Sequence, residues 1–466
     1  MDDFRRQAHR LADWIADYLE NPERFPVLSR VAPGDIRRSL PAQAPEHGEA
    51  FEDIFADFER LILPGVTHWN HPGFFAYFAI TSSAPGVLAE FLAAALNQQA
   101  MLWRTSPAAT ELEEVSLGWL RQLIGLPADF EGVIYDTASV STLHALAAAR
   151  ETAIPAVRAR GLGGRTDLRG VRVYCSEHAH SSVDKAVILL GLGHEALVRV
   201  AADAEFRMRP DALAAAIAAD KTAGRIPVAV VATVGSTSTT SVDPVGDIAA
   251  VCAGEGIWLH VDAAYAGVAA MVPGCEWVLR GAERADSIVL NPHKWLFTPF
   301  DLSVLYCRRM DVVRQAFSLT PDYLATTEGD AGVRNLMDTG IQLGRRFRAL
   351  KLWMILRHFG RDGLRGALAG HMRLARTFAE WVDASDRFER VAPVPFSVVC
   401  FRLRGATDEQ QAQLLDAVNA SGDVFLSHTK LHGRYVLRLA IGHLHTAERH
   451  VARAWALLNT AAETLT

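Results

Sequence analysis

Apolar residues recur with two different periods along this chain, and the periods divide it. Phe4, Ala8, Leu11, Ile15 and Tyr18 fall on one helical face, with Asp13, Asp17 and Glu20 off it. Asn21-Pro22 should stop that helix, because proline cannot continue it. A proline-rich connector follows over residues 33–45. Phe51, Ile54, Phe55, Phe58, Leu61 and Ile62 then form a second apolar stripe. Two amphipathic helices without a local core need a surface to cover.

From about residue 81 to 370, short apolar runs alternate with helical patterns. Residues 171–175, 228–233, 258–261 and 287–290 predict strands, and 143–149, 183–190 and 211–219 predict helices. This alternation predicts an α/β unit around a mainly parallel sheet. Ligands of such sheets bind beyond the carboxyl ends of the strands. His180, Thr237, Asp262 and Lys294 each stand just after a predicted strand. A last unit carries a helix at 371–382, strands at 398–403 and 435–439, and a final helix. The expected division is therefore 1–80 (helical), 81–370 (large domain) and 371–466 (small α+β domain).

Chemistry enters at Asn291-Pro292-His293-Lys294, which ends one strand and opens Trp295-Leu296-Phe297. Burial among apolar side chains disfavours an ammonium ion, so the amine becomes available as a nucleophile. Such a lysine can form a Schiff base with an aldehyde cofactor. A lysine that merely reaches solvent is the other reading of this tetrapeptide. Upstream, Trp258-Leu259-His260-Val261-Asp262-Ala263-Ala264 ends an apolar strand in a carboxylate followed by small residues. Pyridoxal phosphate (PLP) enzymes need a carboxylate at the pyridine nitrogen and a small residue where the ring lies flat. Asp262 and Ala264 fit those needs, although Asp262 could equally be a helix N-cap. Asp136-Thr137-Ala138-Ser139-Val140-Ser141-Thr142 precedes an alanine-rich helix and offers hydroxyls and N–H groups to a phosphate.

Further motifs stand in order: residues 68–78 (His68-Trp69-Asn70-His71-Pro72-Gly73-Phe74-Phe75-Ala76-Tyr77-Phe78), Ser106-Pro107-Ala108-Ala109-Thr110-Glu111-Leu112-Glu113, Ala179-His180-Ser181-Ser182-Val183, Leu343-Gly344-Arg345-Arg346-Phe347-Arg348-Ala349-Leu350-Lys351 and Tyr435-Val436-Leu437-Arg438. With these the chain resembles, nearly end to end, the group II PLP-dependent decarboxylases, the aromatic-L-amino-acid decarboxylase family. The resemblance implies the PLP-dependent transferase fold type I, aspartate-aminotransferase-like, with a mainly parallel seven-stranded sheet. It also implies a homodimer in which the N-terminal helical segment packs on the partner subunit.

Site roles follow from the same resemblance. Lys294 is implied as the Schiff-base lysine and Asp262 as the partner of the ring nitrogen. His180 stacks on the ring and meets the substrate carboxylate. Thr137, Ala138 and Ser139 hold the phosphate. Thr237 lies near the cofactor 3-oxygen, Ala264 lies under the ring, and Asn291 and His293 flank the lysine. Tyr323, on a loop supplied by the neighbouring subunit, protonates Cα. Arg438 is implied to be structural or to orient the site from a distance. The substrate pocket is expected from Trp69, Tyr77, Phe78, Ile80, Gln99, Met101, Arg104, Phe300 and Gly344, with Gly344 leaving room for a ring. The chain departs from the family at Asp136, at Ala79-Ile80, at Gln99 and Arg104, and in a stretch after Tyr323 about a residue short. Gln99 and Arg104 keep a polar or anionic side chain open as substrate, while Arg104 could instead pair with Glu111 or Glu113.

The expected activity is decarboxylation of an L-amino acid, aromatic by preference, to the amine. An aldehyde synthase, coupling decarboxylation to oxidative deamination, is the alternative. Tyr323 argues against it, because plant aldehyde synthases of this family usually lack the loop tyrosine. An aminotransferase and a non-catalytic PLP-binding protein are weaker readings. Composition adds exclusions. A net charge of -6 with no sustained Lys/Arg run gives no footprint for nucleic acid. The five cysteines are scattered, without a CxxC pair for a metal, and their odd number argues against a disulfide framework. No run reaches a membrane span of ~20 apolar residues. The N-terminus is charged from Asp2 to Arg6 without a signal-like apolar stretch, so a cytoplasmic protein is expected.

Overall fold

The computed structural model describes residues 2–319 and 333–465. Tyr323 lies outside the described residues. Among the described residues twelve strands form in chain order: β1 (Phe74–Phe75), β2 (Glu131–Tyr135), β3 (Val171–Ser176), β4 (Leu197–Val200), β5 (Ile226–Thr233), β6 (Trp258–Asp262), β7 (Ser287–Leu290), β8 (Ser303–Cys307), β9 (Phe388–Arg390), β10 (Val398–Leu403), β11 (Phe425–Leu431) and β12 (Arg434–Ala440). They make two sheets. The chain divides into two compact units, one of residues 1–79, 374–391 and 399–466, the other of 80–373 and 392–398.

The second unit holds a seven-stranded sheet in the order β2-β8-β7-β6-β5-β3-β4. Strands β7, β6, β5, β3 and β4 pair in parallel, and β8 runs antiparallel to both of its neighbours. Every residue of β6 and β7 is buried. That is the mark of parallel strands covered on both faces, and it explains their unbroken apolar runs. The alanine-rich helix Ala138–Ala153 packs small buried residues into the same core as Val133, Val173, Val231 and Leu305. β2, β4 and β8 were not predicted. In β2 the pattern is masked by Gly132, where a Cβ would come 2.8 Å from Leu117 and 2.9 Å from Tyr306. Close approach requires glycine there, at the expense of an alternating signature.

β2 is an edge strand, and an edge leaves backbone groups to be satisfied. Glu113, on helix Pro107–Leu123, accepts the Ile134 N–H at 2.8 Å. Arg345 donates to the Ile134 carbonyl at 2.7 Å and to Glu113 at 2.8 and 3.2 Å. Both side chains are buried, 6% and 3% exposed. The Arg-rich motif after Gly344 thus serves largely as a set of ties. Arg346 and Lys351 both pair with Glu90, and Arg348 pairs with Asp301.

The other unit carries the sheet β1-β11-β12-β10-β9 with helices Asp2–Glu20, Asp408–Asn419 and Glu448–Glu463. The first helix ends where Asn21-Pro22 required. Its apolar stripe meets the second one: Trp14 stacks on Tyr18 and edges onto Phe55 and Phe58. Residues 1–79 share this compact unit with residues 374–391 and 399–466. The helix expected at 371–382 runs over Ala349–Asp383, broken at Gly360 with φ 59°. Gly360, Gly363, Gly366 and Gly370 obscure its periodicity. Among the described residues no helix is long and apolar enough to cross a membrane.

Removing one member of a buried ion pair strands the other charge. Glu113→Ala should therefore lower stability by about 3–5 kcal/mol, and Arg345→Ala by a similar amount. Replacing both by apolar residues should cost less than either single change. Urea-unfolding midpoints of the three variants check this.

Candidate active site

The carboxyl ends of β7, β6, β5 and β3 are neighbours in the sheet. Asp262 is the last residue of β6. Lys294, Thr237 and His180 each follow their strand by four positions, from Leu290, Thr233 and Ser176 respectively. Adjacent strands lie ~4.8 Å apart, so these four exits span roughly 15 Å. The topology alone therefore brings an amine, a carboxylate, a hydroxyl and an imidazole to one edge.

Lys294 sits in the one-turn helix Pro292–Trp295, and its N–H donates to the Asn291 carbonyl at 2.8 Å. The Asn291 N–H donates to the Ala264 carbonyl at 3.1 Å, tying this turn to the exit of β6. Burial pushes the Lys294 amine below the usual lysine range, and the Asp262 carboxylate opposes that shift. Asp262 is 7% exposed, and its Oδ1 accepts the Ala264 N–H at 3.1 Å. Ala264 is itself buried. His180 keeps one edge open to solvent, while its Nδ1 accepts the Ser182 N–H at 3.1 Å. That leaves Nε2 to carry the ring proton. Desolvation lowers the His180 pKa, Asp262 raises it and Lys294 lowers it. The three groups feel one another's charge, as members of one site would.

His293, beside Lys294, is anchored by the chain just before β8. Its Nδ1 accepts the Leu302 N–H at 2.9 Å, and its ring lies 4.9 Å from Phe300. Burial, with Lys294 beside it, pushes it down to about 3, so it is a neutral donor or acceptor at any working pH. Thr237 is exposed at the rim.

The cradle expected for a phosphate lies after β2. Thr137 is extended, with φ -133° and ψ 158°, and makes no side-chain cap bond to the helix that follows. The Asp136 carboxylate accepts the Thr137 N–H at 2.5 Å, the Thr137 hydroxyl at 3.1 Å and the Gln342 amide at 3.3 Å. The N–H groups of Ala138 and Ser139, in the first turn, have no intrahelical acceptor and remain for an anion.

Two buried polar atoms at these strand ends lack partners, Asn291 Oδ1 and Thr233 Oγ1. Thr233 pairs with Asp262 in register, and Asn291 precedes the lysine turn. Orphaned polar atoms are rare in a finished core and accord with a polar ligand there. A nucleophilic amine, a carboxylate for a ring nitrogen, an imidazole and a helix N-terminus fit PLP group by group.

The pocket candidates divide between the units. In the first, Trp69 stacks on Phe74 and Tyr77, at 4.5 and 5.7 Å. The Arg438 guanidinium lies 5.4 Å over the Phe78 ring and donates to the Tyr77 carbonyl at 3.2 Å. Arg438 thereby fixes the Tyr77-Phe78 backbone. In the second unit Ile80 is half-buried, Phe300 is exposed, and Met101 packs with Leu102 and Met337. The room expected at Gly344 faces the Gln99 amide: a Cβ would stand 3.2 Å from Gln99 Nε2. Gln99 Oε1 also accepts the Arg345 N–H at 2.6 Å. The two carboxylates considered for Arg104 are engaged by other groups, Glu111 by the Trp103 indole at 2.8 Å and Glu113 by Arg345. Sequence reasoning missed Gln342 and Thr233. Both contact the site through chain separated by many residues, and only the adjacent Leu343-Gly344 motif pointed toward Gln342.

Comparison with known proteins agrees with this arrangement. Residues 33–404 match the model of the pyridoxal-dependent decarboxylase conserved domain. The chain is 41% identical to a phenylacetaldehyde synthase of Arabidopsis thaliana, covering 100% of this chain and 96% of the relative. It is 40% identical to tryptophan decarboxylase 2 of Oryza sativa subsp. japonica, covering 98% and 94%. The crystal structure of Oryza sativa TDC with PLP and tryptamine superposes with a TM-score of 0.95 at 38% identity, over 100% of this chain and 99% of that one. By family model, sequence and fold alike, the chain belongs to the pyridoxal-dependent decarboxylases, PLP-dependent carboxy-lyases of fold type I.

Proposed function

We propose that this decarboxylase acts on an aromatic L-amino acid and releases the corresponding amine, with Lys294 as the amine that bonds the cofactor. The observation that carries this is the meeting of Lys294, Asp262 and His180 at adjoining strand ends. PLP, when bound, supplies an aldehyde carbon for amine attack and an aromatic ring that accepts electrons from the breaking bond. Lys294, its ammonium form disfavoured by burial, supplies a neutral amine for that attack. Asp262 holds a proton at the pyridine nitrogen from a site shielded from water. His180 would offer its Nε2–H to the substrate carboxylate and so orient the C–C bond to be broken. Tyr323 delivers the proton to Cα, a role taken from family resemblance. Relatives named tryptophan decarboxylase and phenylacetaldehyde synthase favour an aromatic side chain.

A second reading has specific support, since the relatives include an aldehyde synthase. The two differ in what happens after CO2 leaves. A proton at Cα gives amine, whereas O2 at that carbon leads to aldehyde. A phenol at position 323 favours the proton. With tryptophan, tyrosine, phenylalanine and glutamate offered in turn, we expect CO2 and amine in equal amounts from the aromatic substrates and little O2 uptake. Tyr323→Phe, which keeps the ring without the exchangeable proton, should raise aldehyde and peroxide while CO2 release continues. Aldehyde as the main wild-type product would establish the second reading.

The protein is also proposed to be a homodimer. Helix Ala84–Leu96 exposes Leu88, Phe91, Leu92 and Leu96 at 46–61%, one contiguous helical face. Such a stripe calls for a cover, and a second copy of this chain supplies one. Phe91→Glu with Leu92→Glu should shift sedimentation from dimer to monomer. A variant that stays dimeric would place the interface elsewhere.

A further inference from the structure

His260 lies two positions before Asp262 on β6, so the two side chains face the same side of the sheet. It is fully buried. Its Nδ1 stands 2.9 Å from Ser287 Oγ, and its Nε2 stands 3.4 Å from Thr142 Oγ1. Ser287 Oγ also accepts the Trp258 indole N–H at 2.9 Å. Ser287 and Thr142 are both fully buried. One imidazole therefore touches three elements. β6 ends in Asp262. β7 begins at Ser287 and leads to Lys294. The helix containing Thr142 opens with Ala138 and Ser139.

We infer that His260 is a positioning residue for the cofactor site. This rests on the reading of Asp262 and Lys294 above. Through its two ring nitrogens it sets the separation between the carboxylate, the lysine turn and the helix N-terminus that receives the phosphate. Three groups on three elements must contact one rigid ligand at once. A ligand of fixed size tolerates little drift among them. Backbone pairing sets the spacing of β6 and β7, since His260 and Ser287 are register partners. Nothing in the sheet ladder sets the height of the helix above it. Two buried side-chain contacts do, Ser141 Oγ with Ser303 Oγ on β8 at 2.8 Å and His260 with Thr142, and the second is the one that ties the helix to β6. The imidazole is suited to this because burial holds it neutral, so it adds no second charge beneath Asp262.

A buried histidine that only fills the core would behave differently, and this separates the two roles. Thr142→Val keeps the volume and removes the hydroxyl. His260→Asn keeps a group near the Nδ1 position and loses the reach to Thr142. His260→Gln keeps a group near the Nε2 position. Equilibrium dialysis of each holoenzyme should show PLP binding weakened by about 10-fold for Thr142→Val and His260→Asn, the size of one buried hydrogen bond lost. His260→Gln should recover part of that loss. The visible band of bound PLP should also shift its pH titration in the weakened variants. Asp262→Asn is measured alongside. If it alters affinity and band while Thr142→Val and His260→Asn match the wild type within twofold, the positioning role is overturned and the site stands. If Asp262→Asn is also silent, the site reading itself fails. Should His260→Asn not fold, Thr142→Val alone decides, because it leaves the imidazole in place.

Discussion

A lysine amine and a carboxylate must stand together withdrawn from water, with an imidazole at the open side, and most of the fold serves that demand. Charges in such a place are costly unless matched. The parallel sheet meets the cost by geometry. Adjacent strands end at one edge, so groups far apart in sequence arrive within a few strand spacings without any loop having to search for them. Asp262 keeps the carboxylate near the amine, and burial of Lys294 biases that amine toward its neutral form. Each group makes the other's position tolerable.

The outer layers follow from the same demand. β6 and β7 are buried on both faces, which requires the small-residue helix Ala138–Ala153 to lie close. That helix then presents its N-terminus beside the strand exits. At the sheet edge the Glu113–Arg345 pair satisfies the backbone of Ile134, fastening β2 and the segment that carries Gly344. A motif rich in arginine, which invites a reading as an anion site, is occupied here in holding structure.

The interior of the sheet was legible in the sequence because fully buried parallel strands leave long apolar runs. The strands around Val230, Leu259 and Ile288 announced themselves in this way. So did Asp262 and Lys294, since a charge at the end of such a run needs a reason. The edges were not legible. Gly132 interrupts β2, and glycines from 360 to 370 break the period of a long helix. The partners of individual polar groups were also hidden. Asp136 meets Thr137 and Gln342, and Glu113 meets Arg345. Such pairings depend on side-chain reach between distant segments, which no local pattern encodes. The Tyr323 role stayed a matter of resemblance throughout.

The central claim is that the amine beside Asp262 is the one that holds the cofactor. Borohydride reduction of the holoenzyme, followed by peptide mapping, tests it most directly. Reduction should fix PLP irreversibly to the single peptide containing Lys294 and to no other, with loss of the visible band. Reduced cofactor on Lys185, Lys351 or any other lysine would contradict the account.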